Sequence, residues 1–172
     1  VYDLQKAIDK KLNRMMQKNP HRLNFYKKYI KIIEEYNEGK DAEAVKKAFE
    51  ELMKFVNEMN LEEQRSMREN LDEETLAIYD ILCKDNLTNK DRNIVKKVSI
   101  ETLENLKKEK LKIKRWRESN QVSAQVKIII RDNLLHLPRE TYPDDEVEIK
   151  TLDVYRHINS NYYGGGASIY NS

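Results

Sequence analysis

Histidine and cysteine, which often perform catalysis or hold metals, are few in this chain and lie far apart. None of the three histidines, His21, His136 and His157, has a cysteine or a second histidine at a spacing typical of metal ligands. We therefore expect solvated or capping roles for them and no metal site. The only cysteine, Cys83, follows two apolar residues, where a buried structural thiol is more common than a nucleophile.

Four pairs of adjacent glutamates are the remaining candidates for acid–base chemistry. Adjacent side chains on a helix point in different directions, so we expect these carboxylates on solvated helix faces. The sequence also lacks a phosphate-binding glycine loop and a GxGxxG motif. We predict no catalytic residue and no cofactor site in this chain. The pairs stand at 34–35, 50–51, 62–63 and 73–74.

The densest charge lies at residues 107–117, here called the basic segment, in which seven of eleven residues are basic. Such a density of cations could neutralise phosphates, and the one tryptophan within it could stack on a base or serve as an anchor. The candidate nucleic-acid-binding residues are Lys107, Lys108, Lys110, Lys112, Lys114, Arg115, Trp116 and Arg117.

Two other interpretations of the basic segment remain open. It could be a solvated helix end whose cations suit the negative end of the helix dipole, with Trp116 in the core. Because charge runs more often form solvated surfaces, we favour this interpretation. Alternatively, the segment could dock against an acidic surface, since residues 41–85 hold 13 acidic and 6 basic residues, a net charge of −7. Residues 90–117 carry the opposite net charge of +7, from 11 basic and 4 acidic residues.

The elements that would position these residues are predicted to be helices. The 172 residues include 36% charged and 39% hydrophobic residues but only 4 glycines and 3 prolines, too few for many strands and turns. Apolar residues recur at helical spacing almost throughout. We predict an all-α fold, an irregular bundle of about seven helices. The helix caps or boundaries that we predict are Asn19, Gly39, Asp41, Asn60, Asp72, Thr88, Ser119 or Asn120, and Asp144 or Asp145.

The domain boundaries follow from the same pattern. We predict one helical domain at 1–158, with sub-lobes at 1–86 and 87–158 as an option, and a flexible tail at 159–172, which is rich in Asn, Ser, Gly and Tyr. Leu137-Pro138 and Tyr142-Pro143 delimit a predicted extended loop. No apolar run approaches the roughly 18 residues of a membrane span, and no signal-peptide pattern opens the chain. The chain starts at Val1, so we expect a piece of a longer protein.

A series of short motifs resembles, in collinear order, the C-terminal region of the R subunits of Type I restriction enzymes. It includes Asn-Pro-His-Arg at 19–22 and Gln-Val-Ser-Ala-Gln-Val-Lys at 121–127. Each motif is weak, but their order and spacing along nearly the whole chain are specific. The other matching stretches are 25–26, 32–37, 49–52, 62–65, 71–82, 95–98, 116–117, 130–132, 137–138, 142 and 154–158.

The resemblance implies a large subunit of the bacterial cytoplasm, with a nuclease domain and two helicase-like motor domains before this helical domain. Such a subunit uses ATP and Mg²⁺ to pull duplex DNA and cuts it at a distance. None of the family's catalytic motifs lies in this chain, so the resemblance implies no ATP hydrolysis, no DNA cleavage and no cofactor here. The implied partners are the methyltransferase and specificity subunits.

The resemblance therefore suggests that this domain docks the motor onto the methyltransferase core. We expect the contact to involve Arg131, Leu137, Pro138 and Tyr142. The alternative is a module that clamps duplex DNA through the basic segment, without sequence preference. An enzyme in its own right, with Arg131 and Asp132 in its site, is the third class and the least supported.

Overall fold

The computed structural model describes residues 2–171 and confirms the all-α prediction. Helices account for 76% of the structure, and the described residues contain eight α-helices and one two-stranded hairpin. None of the described helices combines the length and apolar character needed to cross a membrane. The α-helices are α1 (Tyr2–Lys18), α2 (Leu23–Asn37), α3 (Ala42–Glu63), α4 (Arg65–Arg68), α5 (Glu73–Leu82), α6 (Asn89–Leu106), α7 (Asn120–Leu134) and α8 (Asp144–Asn161).

The chain forms two compact units, unit 1 at Val1–Asp72 and unit 2 at Glu73–Ser172. The division falls at 72/73, whereas the sequence suggested 86/87. The reason is that α5 packs with the helices that follow it. Lys84 Nζ lies 2.6 Å from a carboxylate oxygen of Glu146, and Lys150 Nζ donates to the carbonyl of Ile81 at 2.8 Å.

Unit 1 is built on three amphipathic helices whose apolar faces meet. Asn19 accepts a hydrogen bond from His21 N after α1, and Asp41 accepts one from Ala44 N at the start of α3. The predicted cap at Asp41 is therefore confirmed, and α1 ends at Lys18, next to the predicted boundary at Asn19. The buried core cluster comprises Ile8, Leu12, Met15, Tyr29, Ile32, Leu52, Phe55 and Met59.

The prediction that Asn60 begins a new helix is wrong. The helix α3 continues through it to Glu63, and the Asn60 side chain accepts a hydrogen bond from Lys11 Nζ at 2.7 Å.

Nearby, Arg22 is 2% exposed and pairs with Glu62 at 3.2 Å. Glu62 therefore belongs to a buried ion pair, whereas the sequence suggested a solvated face.

Unit 2 packs α5, α6, α7 and α8 around a larger apolar core. Thr88 and Ser119 cap α6 and α7 as predicted, accepting hydrogen bonds from Asp91 N and Val122 N. The largest fully buried side chains of this unit are Trp116 and Tyr142. Its other buried apolar residues include Leu76, Ile78, Leu82, Val95, Leu106, Val126, Ile130, Leu134, Val154 and Ile158.

The predicted flexible tail is corrected by the structure. Helix α8 continues to Asn161, and then β1 (Tyr162–Gly164) pairs antiparallel with β2 (Ala167–Ser168). All three glycines at 164–166 have positive φ, which lets the chain reverse tightly. The composition that suggested disorder is therefore that of a turn, and the hairpin packs on the basic segment.

Candidate functional site

The basic segment begins where α6 widens into a π-helical turn, Lys107–Leu111. The wider turn lets Leu106 and Leu111, five residues apart, both be buried, at 0% and 2% exposure. Arg115 then adopts a left-handed conformation, with φ of 59°, and a short 3₁₀ turn, Trp116–Glu118, leads to α7. Helix α6 therefore ends at Leu106, and the turns that follow it bury the indole of Trp116.

The C-terminal hairpin holds this turn in place through backbone contacts. Gly165 N donates to the carbonyl of Ile113 at 3.2 Å, and Gly166 N donates to the carbonyl of Leu111 at 3.1 Å. A Cβ atom at Gly164 would lie 2.8 Å from Arg115 N. Glycine is therefore required where the two backbones come closest.

Four of the candidate cations have partners within unit 2. Lys107 Nζ lies 2.6 Å from Glu74 Oε2, Lys110 donates to Gln125 at 2.7 Å, and Arg115 pairs with Glu118 at 3.0 Å. Arg117 donates to the carbonyl of Asn159 at 3.0 Å, and its guanidinium lies over the ring of Tyr163. These side chains are oriented by their own fold.

The other three candidate cations face solvent. Lys108, Lys112 and Lys114 are exposed, and within residues 2–171 the structure gives none of them an ion-pair partner. They are the exposed cations of the basic segment that no partner within the described residues orients.

Trp116 does not belong to the exposed candidates. It is 0% exposed, and its Nε1 donates to the carbonyl of Tyr162 at 3.1 Å. Its position in the core agrees with the favoured interpretation of the sequence and removes it from base stacking.

An open groove of about 630 Å³ lies between the π-helical turn and α7. Lys108, Glu109, Lys110 and Lys112 line one side, and Gln125, Ile128 and Ile129 line the other. One of the lining residues, Ile128, is a large apolar side chain that is 56% exposed. The groove therefore combines positive charge with an accessible apolar surface.

Ile128 also belongs to a wider apolar surface, here called the outer face, with Ile149 and Leu152. Ile128 stands two residues from Val126 and Ile130, the buried residues of α7, and Ile149 likewise stands between Val147 and Thr151 of α8. Side chains that are two positions apart on a helix point to nearly opposite sides, so Ile128 and Ile149 face away from the core. Ile149 and Leu152 are 58% and 45% exposed.

The two helices of the outer face are joined side by side. Arg131 pairs with Glu148 at 2.5 Å, and Lys127 Nζ lies 4.6 Å from the centre of the Tyr155 ring. The order of these contacts makes α7 and α8 antiparallel. Arg131, predicted as a docking residue, is half-exposed and stands on the seam between the helices.

The predicted docking loop is compact rather than extended, and two of its candidates are buried. Leu137 and Tyr142 are 3% and 1% exposed, and Pro138 is partly buried. Tyr142 N donates to the carbonyl of Pro138 at 2.8 Å, and the tyrosine hydroxyl donates to the carbonyl of Leu82 at 2.6 Å. Burial raises the pKa of Tyr142. These residues belong to the core because their large apolar parts fill it.

The histidines differ from one another. His21 and His136 are exposed, in agreement with solvated roles, whereas His157 is only 5% exposed. Its ring nitrogens lie 3.1 Å from Asn161 Nδ2 and 3.2 Å from the Tyr170 hydroxyl. Burial lowers the pKa of His157 to about 4. Within residues 2–171, no cluster of His, Cys, Asp or Glu could hold a metal ion, and Cys83 is only partly buried.

The residues whose roles the sequence did not predict include Glu74, Ile128 and Ile149. Glu74 holds both Lys107 and the hydroxyl of Tyr162, across 88 residues of chain in the second case. The sequence did not predict this role, because Glu73 and Glu74 are adjacent glutamates and such pairs were expected on solvated helix faces. Two isoleucines on the polar side of their helices were the available signal for the outer face.

A comparison with known families finds one family model that matches residues 1–162, described as Type I restriction enzyme HindI endonuclease subunit-like, C-terminal. The matched span includes all eight α-helices and the basic segment. No curated protein and no solved structure matches the chain.

Proposed function

The chain belongs to the family of C-terminal domains of Type I restriction enzyme HindI endonuclease subunit-like proteins, and from this membership we propose that it is a non-catalytic docking module. In this role it attaches the ATP-driven, DNA-translocating subunit to the methyltransferase core. The proposal includes the specificity subunit as a further partner in the same complex. The work of ATP hydrolysis and DNA cleavage is assigned to other domains of the subunit.

The observation that carries the proposal is the outer face. Three large apolar side chains, Ile128, Ile149 and Leu152, are each about half exposed on two adjoining helices. Clustered exposed apolar residues mark surfaces that bind other proteins, because burying them there removes them from water. Arg131 lies among them, and arginine is enriched in such interfaces. A DNA backbone offers nothing to match three isobutyl or sec-butyl groups.

The second candidate function is sequence-independent binding of duplex DNA. It is favoured by the three exposed lysines, Lys108, Lys112 and Lys114. Three phosphate contacts would give an affinity that falls with salt concentration, with a slope of about −3 on logarithmic axes. Because Trp116 is buried, this candidate would rest on charge alone.

The test measures binding of the 172-residue chain to the purified methyltransferase subunit of the same restriction system. We expect association at micromolar concentration. The paired substitution Ile149→Asp with Leu152→Asp should weaken it by about tenfold or more, because both positions lose their apolar contact. The matched control is Leu61→Asp with Met67→Asp, two exposed apolar residues of unit 1 at 54% and 79% exposure.

Two results would decide against docking. One is the absence of association by the unaltered chain at micromolar concentration. The other is a chain that does not bind the methyltransferase subunit but shifts a short DNA duplex in a gel, with an affinity that falls steeply with salt. That result would support DNA clamping as the function.

A further inference from the structure

We propose that the groove between the Lys107–Leu111 turn and α7 binds an acidic segment of the protein partner. The segment sets carboxylates beside Lys108 and Lys112 and lays an apolar side chain against Ile128. This inference rests on the proposed docking function, and it names the chemistry of the partner and the surface that receives it.

The charge of the groove selects an acidic partner. Three lysines and one glutamate line it, so its formal net charge is +2. The contact that Lys110 makes is with the neutral amide of Gln125, which leaves the lysine charge uncompensated. Lys108 and Lys112 are exposed. A segment with carboxylates at matching positions would gain charge-assisted hydrogen bonds here.

The apolar part of the groove selects a protein over a nucleic acid. Ile128 is 56% exposed and Ile129 is partly buried, and both lie on the α7 side, opposite the lysines. Phosphates gain nothing from such a wall, whereas a protein interface combines an apolar centre with a polar rim. The groove is continuous with the outer face, because Ile128 belongs to both.

The groove is held ready by contacts that do not involve the partner. Gly165 and Gly166 of the hairpin hydrogen-bond to the carbonyls of Ile113 and Leu111, and Lys107 is tied to Glu74. Binding therefore orders only the lysine side chains, and a preformed site loses less entropy on association. An amphipathic helix, with acidic and apolar residues on one side, has the shape that such open grooves receive.

The experiment titrates the purified methyltransferase subunit into the 172-residue chain and into three variants, by calorimetry. We expect Lys108→Glu with Lys112→Glu to weaken binding by about tenfold, and Ile128→Asp by about thirtyfold. The matched control is Lys46→Glu with Lys47→Glu, an equal change of charge at two exposed lysines of unit 1, which should bind as the unaltered chain does. Trp116 fluorescence checks that every variant is folded.

The outcomes separate this inference from the docking function. If the unaltered chain binds and the groove variants bind equally well, the groove is not the site, and docking stands without it. If the control pair weakens binding as much as the groove pair, the effect is one of net charge, and the inference is overturned. If the unaltered chain does not bind, the docking function fails and the inference with it. Groove variants that lose affinity for a DNA duplex instead would assign the groove to DNA.

Discussion

Unit 1 and unit 2 both bury large aromatic rings, but they hold them differently. In unit 1, Tyr29 and Phe55 stack with their ring centres 5.7 Å apart, and the hydroxyl of Tyr29 makes a long contact of 3.4 Å with the carbonyl of Gln5 and interacts with Asp9, which is exposed. In unit 2, Trp116 and Tyr142 each donate a buried hydrogen bond to a carbonyl distant in sequence, at 3.1 and 2.6 Å.

The difference separates aromatic rings that are held by apolar packing from rings that are held by packing and directional bonds. Apolar packing accepts related side chains with small adjustments. A buried side chain that donates a hydrogen bond to a buried carbonyl is not replaced by an apolar one, because the carbonyl is then left without a protein donor and out of reach of water. The buried aromatic positions of unit 2, the unit that carries the groove and the outer face, should therefore be less tolerant of substitution than those of unit 1.

The largest contrast is expected from replacing one aromatic ring in each unit by leucine. Trp116→Leu removes much of the indole volume and strands the carbonyl of Tyr162, at a cost of about 3 to 5 kcal/mol. Phe55→Leu strands no polar group and should cost about 1 to 2 kcal/mol. The measurement is urea unfolding followed by circular dichroism, since the first variant has no tryptophan. Equal losses would mean that the hydrogen bond contributes nothing.

Acid should destabilise unit 2 through His157. Its pKa is about 4 in the folded chain and 6.5 in the unfolded chain, so between these values the unfolded chain binds the proton and the folded chain does not. The contribution of neutral His157 to the free energy of unfolding is therefore fully present above pH 6.5 and declines as the pH falls towards 4. Below pH 4 this group causes no further loss. The loss from this group is about 3 kcal/mol.

The control for this pH effect is His157→Gln, which has no titrating ring. Urea unfolding of both proteins, followed by the fluorescence of the single tryptophan, should show a steeper decline between pH 6.5 and 4 for the unaltered chain. Carboxylates titrate equally in both and cancel in the difference. Parallel profiles would show that His157 becomes protonated without loss of structure.

A smaller effect is expected at the glycines of the hairpin. Gly164→Ala places a methyl group 2.8 Å from Arg115 N at a φ of +97°, and we expect a loss of about 2 to 3 kcal/mol. At Gly166 the φ is +81° but nothing lies within 4 Å, so Gly166→Ala should cost only about 1 kcal/mol. Tryptophan fluorescence during urea unfolding measures both. If the two variants lose the same stability, the close approach of the backbones is not important.

The same contrast explains how much of the fold the sequence could predict. In unit 1 the apolar spacing of α1, α2 and α3, the helix boundary at Asn19 and the cap at Asp41 were sufficient, because each is a local signal. Asn60 was misread because its partner, Lys11, is 49 residues away. In unit 2 the helices α6 to α8 were also predicted, but the hairpin was not, since its stability comes from carbonyls at 111 and 113 rather than from its own composition.

The candidate site divides along the same line. The density of lysines indicated where exposed cations would be, and Lys108, Lys112 and Lys114 are exposed there without an ion-pair partner among the described residues. Sequence alone could not tell these from Lys107 or Arg117, whose partners, Glu74 and the carbonyl of Asn159, are 33 and 42 residues away. Nor could it show that Leu137 and Tyr142 are buried, because the two prolines predict a loop but not which side chains point inward.

The smallest effect, and the most direct comparison, comes from removing one hydroxyl in each unit. Tyr142→Phe leaves the carbonyl of Leu82, a residue with 0% exposure, without its 2.6 Å donor and should cost about 1 to 2 kcal/mol. Tyr29→Phe loses a 3.4 Å contact with Gln5 and an interaction with Asp9, which is exposed. Because the contact with Gln5 is long and Asp9 is exposed to water without the hydroxyl, the cost should be below about 0.5 kcal/mol. Urea unfolding of both variants measures the difference. A larger loss for Tyr29→Phe would reverse the assignment of the directional bonds to unit 2.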